Sequence, residues 1–289
     1  MSFESLRTKL ARDGVLQVMA AHSPLSARLA EEAGFDAVWA SGFELSALYG
    51  LADVSLLSMT QHLDMVRAMA GQCQLPIVAD IDTGYGNAVN VDHVVREYER
   101  AGASAIVMED KTFPKVTSLL ADARQDLTRI EEFQGKIAAA LAARRSPDVL
   151  IIARTEALIA GLGQEEALRR CHAYAEAGAD MLLVHSKSRN SEEIESLVAA
   201  WDGARPIVIV PTAYPELTAE RIAELRKIKM VIYGNHAIRA SIAAMQRVFA
   251  TIIAERGIAS ADREIASVAE VFRLQRMGAI KDLEERFLR

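Results

Sequence analysis

Short apolar runs and longer amphipathic stretches alternate along the whole chain. The apolar runs lie at 15–20, 37–41, 76–82, 105–110, 149–154, 181–185, 207–211 and 230–234, and most are unbroken. Unbroken runs of this length suit parallel strands covered on both faces. Between them, stretches at 24–33, 60–70, 90–101, 130–144, 165–177, 191–200, 218–226 and 238–255 repeat apolar residues three and four apart. That spacing predicts helices with one buried face. Three of them close on Ala-Gly (Ala33-Gly34, Ala101-Gly102, Ala177-Gly178), where glycine can take the left-handed conformation that stops a helix.

Eight strand–helix units predict an α/β chain folded as a (β/α)8 TIM-type barrel, a single domain over 1–289. The Gly161-Leu-Gly163 stretch lacks a third glycine and follows no strand directly, so it reads as a loop and not as a dinucleotide fingerprint. Residues 259–289 carry an extra helical pattern with Val268, Val271, Phe272 and Leu274. A barrel does not need this C-terminal extension; packing on a neighbouring subunit and packing on its own barrel both suit it.

Composition narrows the function classes. With 33 Lys+Arg against 39 Asp+Glu the net charge is −6, which argues against nucleic acid as a partner. No uninterrupted apolar run reaches the ~20 residues that cross a bilayer, so no membrane partner is expected. The N-terminal MSFESLRTKLARDG reads as an amphipathic helix without the apolar centre of a signal peptide. Cys73 and Cys171 stand in no metal or redox spacing and predict inert thiols in a reducing cytoplasm.

In such barrels the chemistry sits at the C-terminal strand ends. Those ends carry Ser41-Gly42, Asp80, Asp82, Glu109, Arg154, His185 and Asn235. Asp80 and Asp82, two apart on one strand, should project to the same side. With Glu109 on the next strand they form a carboxylate group whose repulsion a divalent cation relieves, and all-oxygen donors suit Mg2+ or Mn2+. Taken singly, the same acids would serve as helix N-caps. Lys115, Arg154 and His185 form a cationic set suited to a small, multiply charged anion. Taken singly they would be a surface lysine, an ion-paired arginine and a core histidine. The loop from 111 to 128 has the length of an active-site lid, with Phe113-Pro114 packing and Lys115, Thr117 and Ser118 facing a ligand.

At these residues the sequence resembles the phosphoenolpyruvate mutase/isocitrate lyase superfamily. The resemblance rests on WASGFELSA (39–47), ADIDTGYGNAVNV (79–91), MEDKTFPKVTSL (108–119), IIARTEALIAGLG (151–163), LLVHSKS (182–188), VIVPTAYPEL (208–217) and VIYGNHAIRA (231–240). The lyases of the superfamily carry a KKCGH-type loop; here Lys111-Thr112-Phe113-Pro114-Lys115 has no cysteine, which disfavours C–C cleavage. The FPK loop is that of members acting on the C–P bond of phosphonopyruvate. Thr117, where the mutases carry Asn, together with GFELSA and PTAYP, resembles the hydrolytic members.

The resemblance therefore implies Mg-dependent hydrolysis of 3-phosphonopyruvate to pyruvate and phosphate, with phosphoenolpyruvate mutation or a related 2-oxo-dicarboxylate lyase or decarboxylase activity as the alternative. It implies that Asp80 binds the metal directly and that Asp53, Asp82 and Glu109 hold metal-bound waters. It implies that the Ser41-Gly42 backbone binds the pyruvyl oxygens in a pocket shaped by Trp39 and Phe43. Arg154 and His185 would contact the substrate's carboxylate and phosphonyl side, and Lys115, Thr117 and Ser118 would close over the phosphonyl group. It also implies a homo-oligomer, a dimer of dimers that exchanges C-terminal helices.

Overall fold

The structure, a computed structural model, describes residues 4–120 and 123–288. Eight strands are present: β1 (Leu16–Ala21), β2 (Ala37–Ala40), β3 (Ile77–Asp80), β4 (Ala103–Glu109), β5 (Leu150–Thr155), β6 (Met181–Val184), β7 (Ile207–Ile209) and β8 (Ile228–Tyr233). Each pairs in parallel with the next, and β8 pairs with β1, closing the barrel. The (β/α)8 barrel expected from the sequence is therefore the observed fold.

The helices are α1 (Leu6–Leu10), α2 (Pro24–Glu32), α3 (Gly42–Leu48), α4 (Met59–Gln72), α5 (Ala88–Arg100), α6 (Ile130–Ala143), α7 (Gly163–Glu176), α8 (Glu192–Ala200), α9 (Ala219–Glu224), α10 (His236–Glu255), α11 (Val268–Leu274) and α12 (Met277–Phe287). Side-chain caps start several of them: Ser23 with Ser26 at α2, Ser58 with Gln61 at α4 and Asn87 with Asn90 at α5 form reciprocal capping boxes. Helix α3 escaped the sequence pattern because seven residues are too few to show a period; Ser41 caps it directly after β2.

The chain divides into two compact units, 1–237 and 238–289. In the first, the strand period of two sorts the core into two layers. Val18, Ala20, Trp39, Val78, Val107, Ile152, Leu183, Val208 and Ile232 form one cluster inside the barrel, with Leu6 of α1 joining it. Their alternates Val38, Ala79, Ile106, Met108, Ile151, Ala153, Leu182 and Val184 pack outward beneath the helices. The amphipathic N-terminal helix is shorter than its sequence suggested, Leu6–Leu10, and residues 1–3 lie outside the described residues.

The second unit contains most of α10 with α11 and α12. By length and composition alone α10 is long and apolar enough to cross a membrane, with a mean hydropathy of 1.3, but it is not an uninterrupted apolar run. Arg239 and Arg247 interrupt it, and each would cost roughly 3 kcal/mol at a bilayer centre. Ile242, Met245, Phe249 and Ile253 recur three and four apart along it and are exposed, as are Val268, Val271 and Phe272, whereas Leu274 is buried.

The turn after β3 is the tightest backbone feature of the barrel mouth. Asp82, Gly84, Tyr85 and Gly86 all have positive φ. A Cβ at Gly84, whose φ is +88°, would lie 2.6 Å from Val91 Cγ2 and 2.9 Å from Met108 Sδ. Backbone strain and overpacking combine there, so Gly84→Ala should lose about 2–4 kcal/mol. Urea unfolding measures this; an unchanged midpoint contradicts the assignment.

Candidate active site

The barrel's period of two also builds the site. Two residues beyond the inward-facing Trp39, Val78, Val107, Ile152 and Leu183 stand Ser41, Asp80, Glu109, Arg154 and His185. Each is the next inward position along the chain, at the end of its strand or, for Ser41 and His185, one residue beyond it, raised above the apolar layers into the mouth. All five are buried or nearly so. A cavity of about 70 Å3 is lined by Trp39, Ser41, Phe43, Asp53, Asp80 and Lys115, by Thr117, Ser118, Arg154 and His185, and by Thr212 and Asn235.

Asp82 reaches the same place by a different route from the one the sequence suggested. Strand β3 ends at Asp80, and Asp82 lies beyond it with φ +51°, so a turn and not strand alternation brings the two acids together. Both face Gly42: a Cβ there would lie 3.0 Å from Asp82 Oδ1 and 3.5 Å from Asp80 Oδ2. The Gly42 amide donates to Asp80 Oδ2 at 3.2 Å, and the Asp82 amide donates to Asp80 Oδ1 at 3.3 Å.

The charges are crowded. Lys115 Nζ lies 2.6 Å from Asp82 Oδ1 and 2.9 Å from Asp53 Oδ1, and Arg154 Nε lies 3.3 Å from Glu109 Oε2. Burial pushes the Asp80 carboxyl up and that of Asp82 up to about 7, although Lys115 opposes both. Burial also works against the Lys115 ammonium, but Asp82, Asp53, Glu109 and Asp80 outweigh it and hold the lysine charged.

Were all four carboxylates ionised, they would exceed the two cations Lys115 and Arg154 by two negative charges. Glu109 Oε1 is buried without a hydrogen-bond partner. Among the described residues no three His, Cys, Asp or Glu side chains stand as a ready-made metal cage. A hard dication that keeps most of its waters, as Mg2+ does, needs no such cage and matches both the donor chemistry and the missing charge.

The opposite wall is a buried ion network around Glu156. Its carboxylate lies 2.6 Å from Arg154 Nε, 3.1 Å from Lys111 Nζ and 3.4 Å from His185 Nδ1, and it accepts from the Ser118 hydroxyl. Burial alone would raise its pKa, but Arg154 and Lys111 hold it well below the usual carboxylate range. Arg154 Nη2 approaches His185 Nδ1 at 3.0 Å. Nδ1 thus faces both a donor, Arg154, and an acceptor, Glu156. Burial lowers the His185 pKa and favours the neutral ring.

Sequence reasoning passed over Glu156 and Lys111 as site residues. Their signal was present: charged residues beside Arg154 and Glu109 at strand ends. Asp110 was also missed. It accepts from Tyr174, Arg170, Thr155 and the Glu156 amide and anchors that strand end from behind.

The lid is strapped to this wall. Lys111 Nζ donates to Val116 O and Ser118 Oγ, both at 2.7 Å, and the Lys115 amide donates to Ser55 Oγ at 3.1 Å. Gln125 Nε2 donates to Thr117 O at 3.1 Å. Thr117 therefore sits between two anchored residues and borders the cavity. Two lid positions, 121 and 122, lie outside the described residues. Cys73 and Cys171 are buried and remote from this cavity's lining, and burial pushes their thiols up, that of Cys171 to about 12.

The profile of the phosphoenolpyruvate phosphomutase family matches residues 6–253. A phosphonopyruvate hydrolase of Variovorax sp. (strain Pal2) is 56% identical over 99% of this chain and 99% of its own length. A phosphoenolpyruvate phosphomutase of Tetrahymena pyriformis is 40% identical over 94% of this chain and 90% of its own. The crystal structure of a phosphonopyruvate hydrolase in complex with oxalate and Mg2+ superposes with a TM-score of 0.93 at 55% identity, covering 98% of each chain.

The raised Asp82 carboxyl carries a pH signature. Its folded pKa of about 7 lies above the ordinary 3.8, so the stability it contributes is present at low pH and lost as pH rises through about 7. A dication needs the ionised form. The rise in melting temperature caused by Mg2+ should therefore be larger at pH 8 than at pH 6. Thermal denaturation with and without Mg2+ tests this, and equal shifts at the two pH values contradict it.

Proposed function

The chain belongs to the phosphoenolpyruvate phosphomutase family, and within that family we propose that it hydrolyses the C–P bond of 3-phosphonopyruvate to pyruvate and phosphate. The observation that carries this reading is one cavity bordered by Asp80, Lys115, Thr117, Arg154 and His185. An acidic wall suited to a dication and a cationic wall suited to a phosphonate line one cavity, and Thr117 of the lid borders it.

Asp80 would hold Mg2+ directly, with Asp53, Asp82 and Glu109 holding its waters. When bound, the ion acts as a Lewis acid at the oxygen that carries the enolate charge. The Ser41-Gly42 backbone would bind the same oxygens and stabilise that charge, chiefly through the Ser41 amide because the Gly42 amide donates to Asp80, with Trp39 and Phe43 shaping the pocket. Arg154 and His185 bind the anionic substrate, and Lys115 and Ser118 hold the lid over the phosphonyl group.

In the reaction the C–P electron pair passes to carbon and leaves pyruvate as its enolate, which then takes a proton. Phosphorus gains an oxygen from water. Thr117 serves this transfer by attacking first, with hydrolysis of the phosphothreonine afterwards, or by orienting the water itself. An amide at this position would be a far poorer nucleophile.

Phosphorus NMR of the protein with phosphonopyruvate and Mg2+ should show inorganic phosphate growing and no phosphoenolpyruvate. Phosphoenolpyruvate as the product would make the chain a mutase, and an untouched substrate would sink the proposal. Thr117→Ala should slow phosphate release by roughly 100-fold or more while substrate binding changes little.

We further infer that the protein works as a homo-oligomer in the cytoplasm, with the C-terminal unit packing on a neighbouring copy. The exposed stripe of Ile242, Met245, Phe249 and Ile253 on α10 supports this, since contiguous apolar faces mark contact surfaces. Light scattering after gel filtration should give a multiple of 31.5 kDa. The double variant Phe249→Glu/Ile253→Glu should shift the protein towards the monomer; a wild-type monomer excludes the inference.

A further inference from the structure

Beneath the acidic wall runs a buried chain of three polar side chains that the proposed chemistry does not use. Tyr85 Oη lies 3.2 Å from Tyr98 Oη, Tyr98 Oη lies 2.9 Å from His62 Nδ1, and His62 Nε2 lies 3.2 Å from the Ala40 carbonyl oxygen. His62 on α4 and Tyr98 on α5 are almost wholly buried. Burying such groups costs stability unless they are hydrogen-bonded, and apolar residues could fill the same volume.

The direction of the chain follows from its end. A carbonyl only accepts, so His62 carries its proton on Nε2 and donates to Ala40. Its Nδ1 must then accept from the Tyr98 hydroxyl, and Tyr98 in turn accepts from Tyr85. A single proton order, Tyr85 to Tyr98 to His62 to Ala40, satisfies every member. Burial lowers the His62 pKa to about 4, so the neutral ring this order requires is the form present near neutral pH.

We propose that Tyr85, Tyr98 and His62 are positioning residues that aim the Ala40–Ser41 peptide at the substrate. The peptide is planar and trans, so its carbonyl and its N–H point in opposite directions. Gripping Ala40 O from the helix side turns the Ser41 N–H away from α4, towards the barrel mouth. A hydrogen bond at the carbonyl also polarises the same amide and strengthens its N–H as a donor. At its other end the chain holds Tyr85, in the turn that carries Asp82. One set of bonds thus ties the amide wall to the acidic wall, and Ser41 meets the pyruvyl oxygens in the relation the metal requires. This inference rests on the reading of Ser41-Gly42 given above.

The test is oxalate, a small dicarboxylate resembling the departing enolate, titrated calorimetrically into the protein with Mg2+. Glutamine can place an amide N–H where His62 Nε2 stands; asparagine reaches only the Nδ1 position. His62→Asn should weaken oxalate binding about tenfold, and His62→Gln should stay within threefold of the unchanged protein. Mg2+ alone should bind both within twofold of normal. Equal oxalate affinities in the two variants, or a parallel loss of Mg2+ binding, overturn the proposal.

Should the asparagine variant not fold, Tyr98→Phe removes the donor to Nδ1 and keeps the ring; unchanged oxalate affinity there overturns it too. Nitrogen-15 NMR of the unchanged protein should show His62 as the Nε2–H tautomer at pH 7, and an Nδ1–H ring or an imidazolium contradicts it. If the oxalate pattern holds while no phosphate is released from phosphonopyruvate, the proposed hydrolysis fails and this assignment stands.

Discussion

The mouth of this barrel is organised around carboxylates that cannot all be ionised there unaided. Asp53, Asp80, Asp82 and Glu109 share a site from which water is largely excluded, and like charges in such a medium repel strongly. Lys115 and Arg154 relieve part of this. Full ionisation would still leave two negative charges in excess, and burial, with the neighbouring acids, pushes the Asp80 and Asp82 carboxyls up. Such an arrangement costs stability, and it is retained where a dication and an anionic substrate together complete the charge balance.

The barrel makes this crowding possible at low structural cost. Closed parallel strands leave no edges, and alternate residues fill the interior in layers. Trp39, Val78, Val107, Ile152 and Leu183 seal the floor of the mouth. The next inward positions, Ser41, Asp80, Glu109, Arg154 and His185, hold the chemistry. The aliphatic floor excludes water from below and keeps the effective dielectric low where charge develops. One period of two thus fixes both the core and the site.

Much of this was legible in the sequence because it follows that period. The eight strands, the barrel and the strand-end residues could be read from unbroken apolar runs followed by polar ones. What could not be read was set by tertiary geometry. Asp82 reaches the site through a left-handed turn, which no spacing rule encodes. Glu156 looks like an ordinary residue after a strand until the fold brings Lys111, Ser118 and His185 around it. Helix α3 is too short to show a period. His62 lies on an amphipathic helix where a buried histidine reads as core, and its partners come from sequence positions 36 residues ahead and 22 behind.

The lid links the two charged walls. Lys111 and Ser118 bind it to the Glu156 network, while Lys115 carries its positive charge into the carboxylate cluster. The loop thus contributes charge to the acidic wall and hydrogen bonds to the cationic wall at the same time. Thr117 lies between these anchors, with its own carbonyl held by Gln125. Its place at the cavity thus follows from the anchoring of its neighbours. A threonine and an asparagine presented in this way would receive the same placement, so in the proposed reaction position 117 would set the acceptor while the fold and its ion pairs set the positioning.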